Sequence, residues 1–242
     1  MAKTLIVLPS YNESRNINSL IENIINQSID NYIVVVDDNS PDNTIEVIKK
    51  FIEVKNFKNK VHLIKRKSKL GRGSAVIDGF KWGINNSENF EIFIEMDCDF
   101  SHSPDDINRG KELLTKSDFV IGARYPNGVI VNWPFKRKIF SFLANTLVRF
   151  LINKQIKDYT NGFRFYSKKS IEHLLKIKII STGHIVLSET AAILLKENFK
   201  PMSFPITFVN RIRGKSNVNL REISRSLISI LNIAWKFRFG KF

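Results

Sequence analysis

Two aspartates separated by one residue, Asp97 and Asp99, close the segment Glu91-Ile-Phe-Ile-Glu-Met-Asp-Cys-Asp-Phe100. The residues ahead of them are apolar, β-branched or aromatic, which reads as a short strand. On an extended chain positions i and i+2 face the same way, so both carboxylates leave the strand's carboxyl end together. Hard divalent cations such as Mg2+ and Mn2+ take oxygen ligands, commonly one or two carboxylates completed by substrate phosphates. The same spacing also suits a solvated turn capped by its aspartates, and the pair alone does not separate the two.

The elements that must position this pair alternate regularly. Leu5-Ile-Val-Leu8 is a first buried strand, ended by Pro9-Ser-Tyr-Asn-Glu13, with Ser14 or Asn16 placed to cap a following helix. Tyr32-Ile-Val-Val-Val36 is a second strand closing on Asp37-Asp38, where Asp37 reads as a turn-shaping residue. Val61–Ile64 is a third strand, leading through the basic loop 65–73 into another helix. After the Asp97 strand come a helix over 104–115 and a fifth strand, 118–122, that ends in Ala123-Arg124-Tyr125. Strands and helices in this alternation predict βαβ units, hence an α/β fold with a mainly parallel sheet. Tyr11, Glu13, Asp38, Gly71 to Gly73, Asp97, Asp99 and Arg124 all fall at strand carboxyl ends, where open α/β sheets bind their ligands. The loop near residue 70 has neither the P-loop spacing nor a dinucleotide fingerprint, so it is a phosphate-binding loop of another kind or a solvated turn.

Composition bounds the class. The 242 residues suffice for one domain with a full core. Its donor-binding half is 1–125, its acceptor-side half 126–219 and its C-terminal helix 220–242. Cys98 is the only cysteine, which excludes an internal disulfide and fits a reducing compartment. Lys and Arg number 38 against 23 Asp and Glu, a net charge of +15 that suits an anionic lipid surface, phosphorylated substrates or nucleic acid. No helix-turn-helix, zinc-finger or RNP-like signature supports the last. The N-terminal apolar run is too short for a signal peptide and nothing approaches a membrane-spanning helix, so a cytoplasmic or peripheral protein is expected.

The second half is amphipathic. Ile139, Phe142, Leu143, Thr146, Leu147, Phe150 and Leu151 share one face of a helix over 136–153, with Ser141, Asn145 and Arg149 opposite. Such a helix either packs on the sheet or lies in a lipid interface. Pro205–Val209 reads as a late strand. Leu220, Ile223, Leu227, Leu231 and Ala234 stripe a last helix whose end is rich in aromatic and basic residues, which favours a membrane surface.

Taken as an ordered set, Pro9-Ser-Tyr-Asn-Glu13, Asp37-Asp38-Asn-Ser40, Leu70-Gly-Arg-Gly73, Met96-Asp-Cys-Asp99 and Gly122-Ala-Arg-Tyr125 resemble the family 2 inverting glycosyltransferases of GT-A fold. Trp133 with Arg137, Ser141 and Asn145, then Asp158-Tyr-Thr-Asn-Gly-Phe-Arg164, Glu189 and Arg211 before Gly214-Lys-Ser216, resemble the polyprenyl-phosphate glycosyltransferases within it. The resemblance implies a nucleotide-sugar donor, GDP-mannose first among them, and a dolichyl-type polyprenyl phosphate acceptor at the cytoplasmic face of a membrane. It implies that Pro9, Tyr11, Glu13 and Asp38 hold the nucleotide. Asp97 and Asp99 would bind Mg2+ or Mn2+ at the diphosphate. Arg124, Arg137, Ser141, Arg211 and Lys215 would meet donor or acceptor phosphates, with Asp97, Asp99 and Arg124 catalytic. Two positions depart from the pattern. Asn217 stands where the family often has lysine, with Arg213 and Lys215 nearby, and Ser101 stands where some relatives have glutamine.

The chemistry is coherent on its own terms. A diphosphate leaving group accumulates negative charge, which a cation and arginines neutralise, and arginine's fork suits phosphate. Other acceptors and donors stay open: a sugar hydroxyl, for which Glu189 would be the base, or UDP-glucose in place of GDP-mannose. Arg164 is expected to pair with Asp158 and hold its loop, and His102 and His184 to be structural.

Overall fold

The structure is a computed structural model that describes residues 2–181, 183–210 and 220–242, with side chains in the last stretch from 227 onward. Short apolar runs become strands and the amphipathic runs between them become helices. In chain order these are β1 (Thr4–Ser10), α1 (Ile17–Gln27), β2 (Asn31–Asp37), α2 (Thr44–Lys55), β3 (Val61–Lys65), α3 (Arg72–Ile84) and β4 (Ile92–Glu95). A 3-10 turn, Pro104–Asp106, runs into α4 (Ile107–Leu114), followed by β5 (Phe119–Ala123), β6 (Val129–Val131) and α5 (Phe135–Leu151). Next come β7 (Arg164–Ser167), α6 (Lys168–Lys176), α7 (Val186–Lys196), β8 (Pro201–Pro205), β9 (Thr207–Val209) and α8 (Leu220–Arg238).

Seven strands form one sheet in the order β3-β2-β1-β4-β7-β5-β8. Every neighbouring pair is parallel except the two that β7 makes, with β4 and with β5. The carboxyl ends of β1, β2, β4 and β5 therefore share one edge, and β7 begins there. Alternate strand residues feed separate cores. Leu5, Val7, Val34, Val36 and Phe93 pack on the side of α3, α6, α7 and α8. Ile6, Leu8, Ile33, Val35 and Ile94 pack on the side of α1, α2 and α4. Helix α3 lies unusually close to the sheet, since a Cβ on Gly79 would strike Val7 and one on Gly83 would strike Leu5 and Phe93. That approach delivers the first residue of α3, Arg72, to the end of β4.

Three expectations are corrected, and for α5 an open alternative is narrowed. The late strand is two: β8 starts at Pro201 on the main sheet, and the chain then leaves at Ile206 so that β9 pairs with β6. Among the described side chains of α8 the buried residues are Ile230, Ile233 and Ala234, while Leu231 of the anticipated stripe faces outward and Leu227 is partly exposed at a cavity wall. This helix carries two apolar stripes, and the sequence pattern does not say which meets the protein. Helix α5 is turned the opposite way from a helix packed by its apolar face: Asn145 and Val148 are buried, and Phe142, Leu143 and Phe150 are exposed. Finally, Arg164 does not pair with Asp158. It is wholly buried and donates to the carbonyl oxygens of Tyr159 at 2.7 Å, Asn161 at 3.0 Å and Leu187. Arg164 thus sews the loop before β7 to the start of α7. Arg164→Met should take the guanidinium donor from the buried Tyr159 and Asn161 carbonyls and lower the unfolding free energy by about 3 kcal/mol or more, measured by urea unfolding.

Candidate functional site

Two cavities meet at the end of β4. The first, of about 290 Å³, is lined by the anticipated Pro9, Tyr11, Glu13, Asp38, Asp97 and Asp99, joined by Lys69, Arg72 and His184. The second, of about 390 Å³, is lined by Asp97, Asp99, Ser101, Arg124, Trp133, Arg137 and Ser141, and continues between Phe140 and Leu147 of α5 and Leu227 and Ile230 of α8. The structure therefore brings together the residues anticipated from the N-terminal motifs and, on a separate wall, those anticipated from the second half. Arg211, Arg213, Lys215 and Asn217 lie outside the described residues.

In the first cavity the turns are fixed by carboxylates. Asp37 accepts from the Ser40 N–H at 2.8 Å and from its hydroxyl at 2.6 Å, the turn-shaping role expected of it. Asp38 accepts from Arg66 Nη1 and from the Gly71 N–H, both at 2.7 Å, so it joins the second strand's end to the basic loop. Gly71 sits at φ +97°, a region open to glycine. The Lys69 ammonium rests 3.7 Å from the Tyr11 ring centroid. The Asn16 amide donates to Glu13 at 3.0 Å rather than capping α1 with its side chain.

The metal-binding aspartates anticipated from sequence sit at the junction. Asp97 Oδ1 accepts from Arg72 Nε at 2.7 Å, and Arg72 also donates to Glu95 at 2.9 Å and to the Gly162 carbonyl at 3.1 Å. Burial alone would raise the Asp97 carboxyl. Arg72, aided by His102 and His184, outweighs it and holds Asp97 well below the usual carboxylate range. Arg72 is the residue sequence reasoning missed, since an arginine in a glycine-rich loop reads the same whether solvated or buried. Asp99 Oδ1 accepts from the Ser101 N–H at 3.1 Å. Cys98, between the two, is buried and donates to the Pro9 carbonyl at 3.3 Å. Burial and the flanking carboxylates push its thiol up, so it packs as a neutral group and supplies no thiolate.

Two carboxylates offering hard oxygens fit Mg2+ or Mn2+. Among the described residues no cluster of three or more His, Cys, Asp or Glu groups forms a metal site. Ser10 Oγ in the first cavity, and Ser101 Oγ and Trp133 Nε1 in the second, belong to buried side chains and have no hydrogen-bond partner among the described residues.

Arg124 is held by Asp158 from three sides: its backbone N–H at 3.0 Å, Nε at 2.8 Å and Nη2 at 3.0 Å. Asp158 is in turn placed by α5, where the Asn145 amide donates to the Lys157 carbonyl at 2.8 Å and accepts from the Tyr159 N–H at 2.9 Å. Arg137 stacks 4.0 Å from the Trp133 ring and donates to Asn210 at 3.0 Å. His102 is buried. Its Nδ1 accepts from the Asp97 N–H and its Nε2 donates to Asn161 at 2.9 Å, so it braces the aspartate turn as a neutral imidazole, the structural part foreseen. His184, expected to be structural, instead lines both cavities. Glu189 accepts from the N–H groups of Ile180 at 3.1 Å and Ser181 at 2.7 Å, and so holds the loop before α7.

An open α/β sheet with a carboxylate pair at its carboxyl edge, where two cavities meet, is the architecture of the GT-A glycosyltransferases. The chain belongs to Glycosyl transferase family 2, whose sequence profile matches residues 5–175, and it is a glycosyltransferase. It is 31% identical over 230 residues to polyprenol monophosphomannose synthase of Mycolicibacterium smegmatis, covering 94% of this chain and 85% of that protein. It is 28% identical over 230 residues to undecaprenyl-phosphate mannosyltransferase of Micrococcus luteus, covering 94% and 92%. Among solved structures, glucosyl-3-phosphoglycerate synthase from Mycobacterium tuberculosis, in complex with Mn2+, UDP-glucose and phosphoglyceric acid, superposes with a TM-score of 0.67 at 16% identity, covering 98% of this chain and 79% of that one. Mannosyl-3-phosphoglycerate synthase from Rubrobacter xylanophilus superposes with a TM-score of 0.64 at 16% identity, covering 97% and 73%.

Asp158→Asn tests the arginine clamp. Burial would raise the Asp158 carboxyl, but the Arg124 guanidinium and hydrogen bonds hold it below its ordinary value. The pair's contribution is therefore present above the unfolded pKa of about 3.9 and is lost as pH falls through the folded one. The variant should be destabilised by about 3–5 kcal/mol at neutral pH. Denaturant unfolding should show that deficit shrinking below about pH 4. A constant deficit would contradict the pairing.

Proposed function

We propose that this glycosyltransferase moves mannose from GDP-mannose, with inversion, onto a dolichyl-type polyprenyl phosphate at the cytoplasmic surface of a membrane, as one domain with a donor half and an acceptor half. The observation that carries this reading is the second cavity. It runs from Asp97 and Asp99, past Arg124 and Arg137, to an apolar mouth between α5 and α8. Outside that mouth lie Phe135, Phe142, Leu143 and Phe150 of α5 and Ile228, Leu231 and Trp235 of α8, each at least half exposed. Among the described residues no helix is long and apolar enough to cross a bilayer. An aromatic face on a strongly basic chain suits lying in an interface instead. The names of the two mannosyltransferase relatives agree with a polyprenyl phosphate acceptor and a mannosyl group.

In this reading the nucleotide lies among Pro9, Tyr11, Glu13 and Asp38, and the lipid phosphate approaches past Arg124, Arg137 and Ser141. Asp97 and Asp99 would hold Mg2+ or Mn2+, whose charge offsets that of the departing diphosphate. A phosphate oxygen of the acceptor attacks the anomeric carbon, the bond from that carbon to the diphosphate oxygen breaks, and GDP departs with the electron pair. An α-linked donor becomes a β-linked lipid phosphate sugar. The acceptor is already an anion near neutral pH, so no strong base is required. Glu189, the candidate base for a hydroxyl acceptor, is engaged by two backbone N–H groups, which favours the phosphate acceptor.

Purified protein with polyprenyl phosphate, detergent and Mn2+ should move label from GDP-mannose into an organic-extractable product, and chelator should stop it. A parallel UDP-glucose arm identifies the donor. Asp99→Asn should reduce transfer roughly 100-fold or more. An α-linked product would refute the single displacement, and absence of lipid-phase label from both donors would refute the acceptor. Phe142→Glu combined with Phe150→Glu should abolish sedimentation with anionic vesicles while leaving the unfolding midpoint nearly unchanged, since both side chains are already exposed.

A further inference from the structure

Among the described residues, three line both cavities: Asp97, Asp99 and His184. A donor whose base occupies the first cavity and whose sugar faces the second must lay its diphosphate across them. Two of the three are carboxylates, which repel a diphosphate unless a cation intervenes. His184 is the one that can donate a hydrogen bond.

Among the described residues the neighbouring cations, like His184 itself, have interactions of their own. Arg72 is bound to Asp97 and Glu95, Arg124 to Asp158, and Lys69 lies over Tyr11. His184 is exposed, and it acts electrostatically on Asp97. Its loop is held at both ends. Upstream, Glu189 grips the Ile180 and Ser181 N–H groups. At the other end Gly183, at φ +62°, sits against the start of α3, where a Cβ on Gly73 would come within 2.9 Å of the Gly183 carbonyl and closer still to Val186. The missing side chain at Gly73 lets the His184 segment and the start of α3 touch, and His184 lines the same cavities as the aspartate pair.

We propose that His184 is a diphosphate-binding residue, its imidazole N–H donating to a phosphate oxygen of the donor. This rests on the sugar-nucleotide reading above and adds to it a contact that the aspartates cannot make. A hydrogen bond to a charged phosphate is worth about 1.5–3 kcal/mol, which is about tenfold or more in affinity.

The test is calorimetric titration of GDP against GMP, and UDP against UMP, each with Mn2+, into the wild type, His184→Ala and His184→Gln. His184→Ala should weaken the preferred nucleoside diphosphate by about tenfold or more and change its monophosphate by less than about twofold. His184→Gln, which restores an N–H donor, should recover most of the loss. Undiminished diphosphate affinity in His184→Ala overturns the assignment, as does an equal loss for diphosphate and monophosphate. A loss of Mn2+ affinity without nucleotide would instead make His184 a cation ligand and also overturns it. A wild type that binds neither diphosphate sinks the donor reading itself, which is distinct from a wild type that binds while the alanine variant binds equally well.

Discussion

Arg72 joins three pieces of backbone that are remote in sequence: the start of α3, the end of β4 through Glu95 and Asp97, and the loop before β7 through the Gly162 carbonyl. Removing one partner from a buried ion pair is strongly destabilising, because the other charge is left in a medium that cannot solvate it. The environment is shaped around this guanidinium. The other Glu95 oxygen accepts from the Tyr166 hydroxyl at 2.8 Å. Position 162 is a glycine, where any Cβ would collide with Arg72 itself. The close seating of α3 on the sheet through Gly79 and Gly83 serves the same end. An aspartate that must stay ionised at a sheet edge thus rests on packing some distance away.

The second cavity obeys a different constraint. Helix α5 spends its polar side inward, where Asn145 and Arg149 hold the loop 152–160 by backbone hydrogen bonds. That loop carries Asp158, which fixes Arg124. The orientation of one arginine in the cavity therefore depends on a helix whose hydrophobic side is given to the surroundings. Packing the apolar face on the sheet would bury more surface in the monomer, but it would turn Asn145 away from the Asp158 loop.

Sequence made the sheet, its edge and the aspartate pair legible because each depends on short-range pattern. The runs at 5–8, 32–36 and 61–64 are almost wholly apolar, and the turns near them carry Asp, Asn, Gly and Pro. What stayed hidden was decided by partners far along the chain. Sequence pairs Arg164 with Asp158, whereas Arg124 takes that carboxylate and Arg164, at the start of a β7 that runs antiparallel to both neighbours, is buried. Four residues of Arg-Phe-Tyr-Ser do not encode that direction. The apolar stripes of α8 are similarly ambiguous, and the neighbours α5 and α7 choose Ile230 and Ile233 over Leu231. His184 gave no signal at all, since its significance comes from two cavities that share a wall.

The outward face of α5 has a colloidal consequence. Away from lipid, a surface bearing Phe135, Phe142, Leu143 and Phe150 is adhesive, and what keeps such particles apart is mutual repulsion from a net charge of +15. Added salt screens that repulsion within about 8–10 Å at physiological strength and leaves the apolar attraction intact. In the proposed surface-bound state the same salt would weaken attraction to an anionic bilayer, so ionic strength would act on the basic surface and the apolar face in opposite senses.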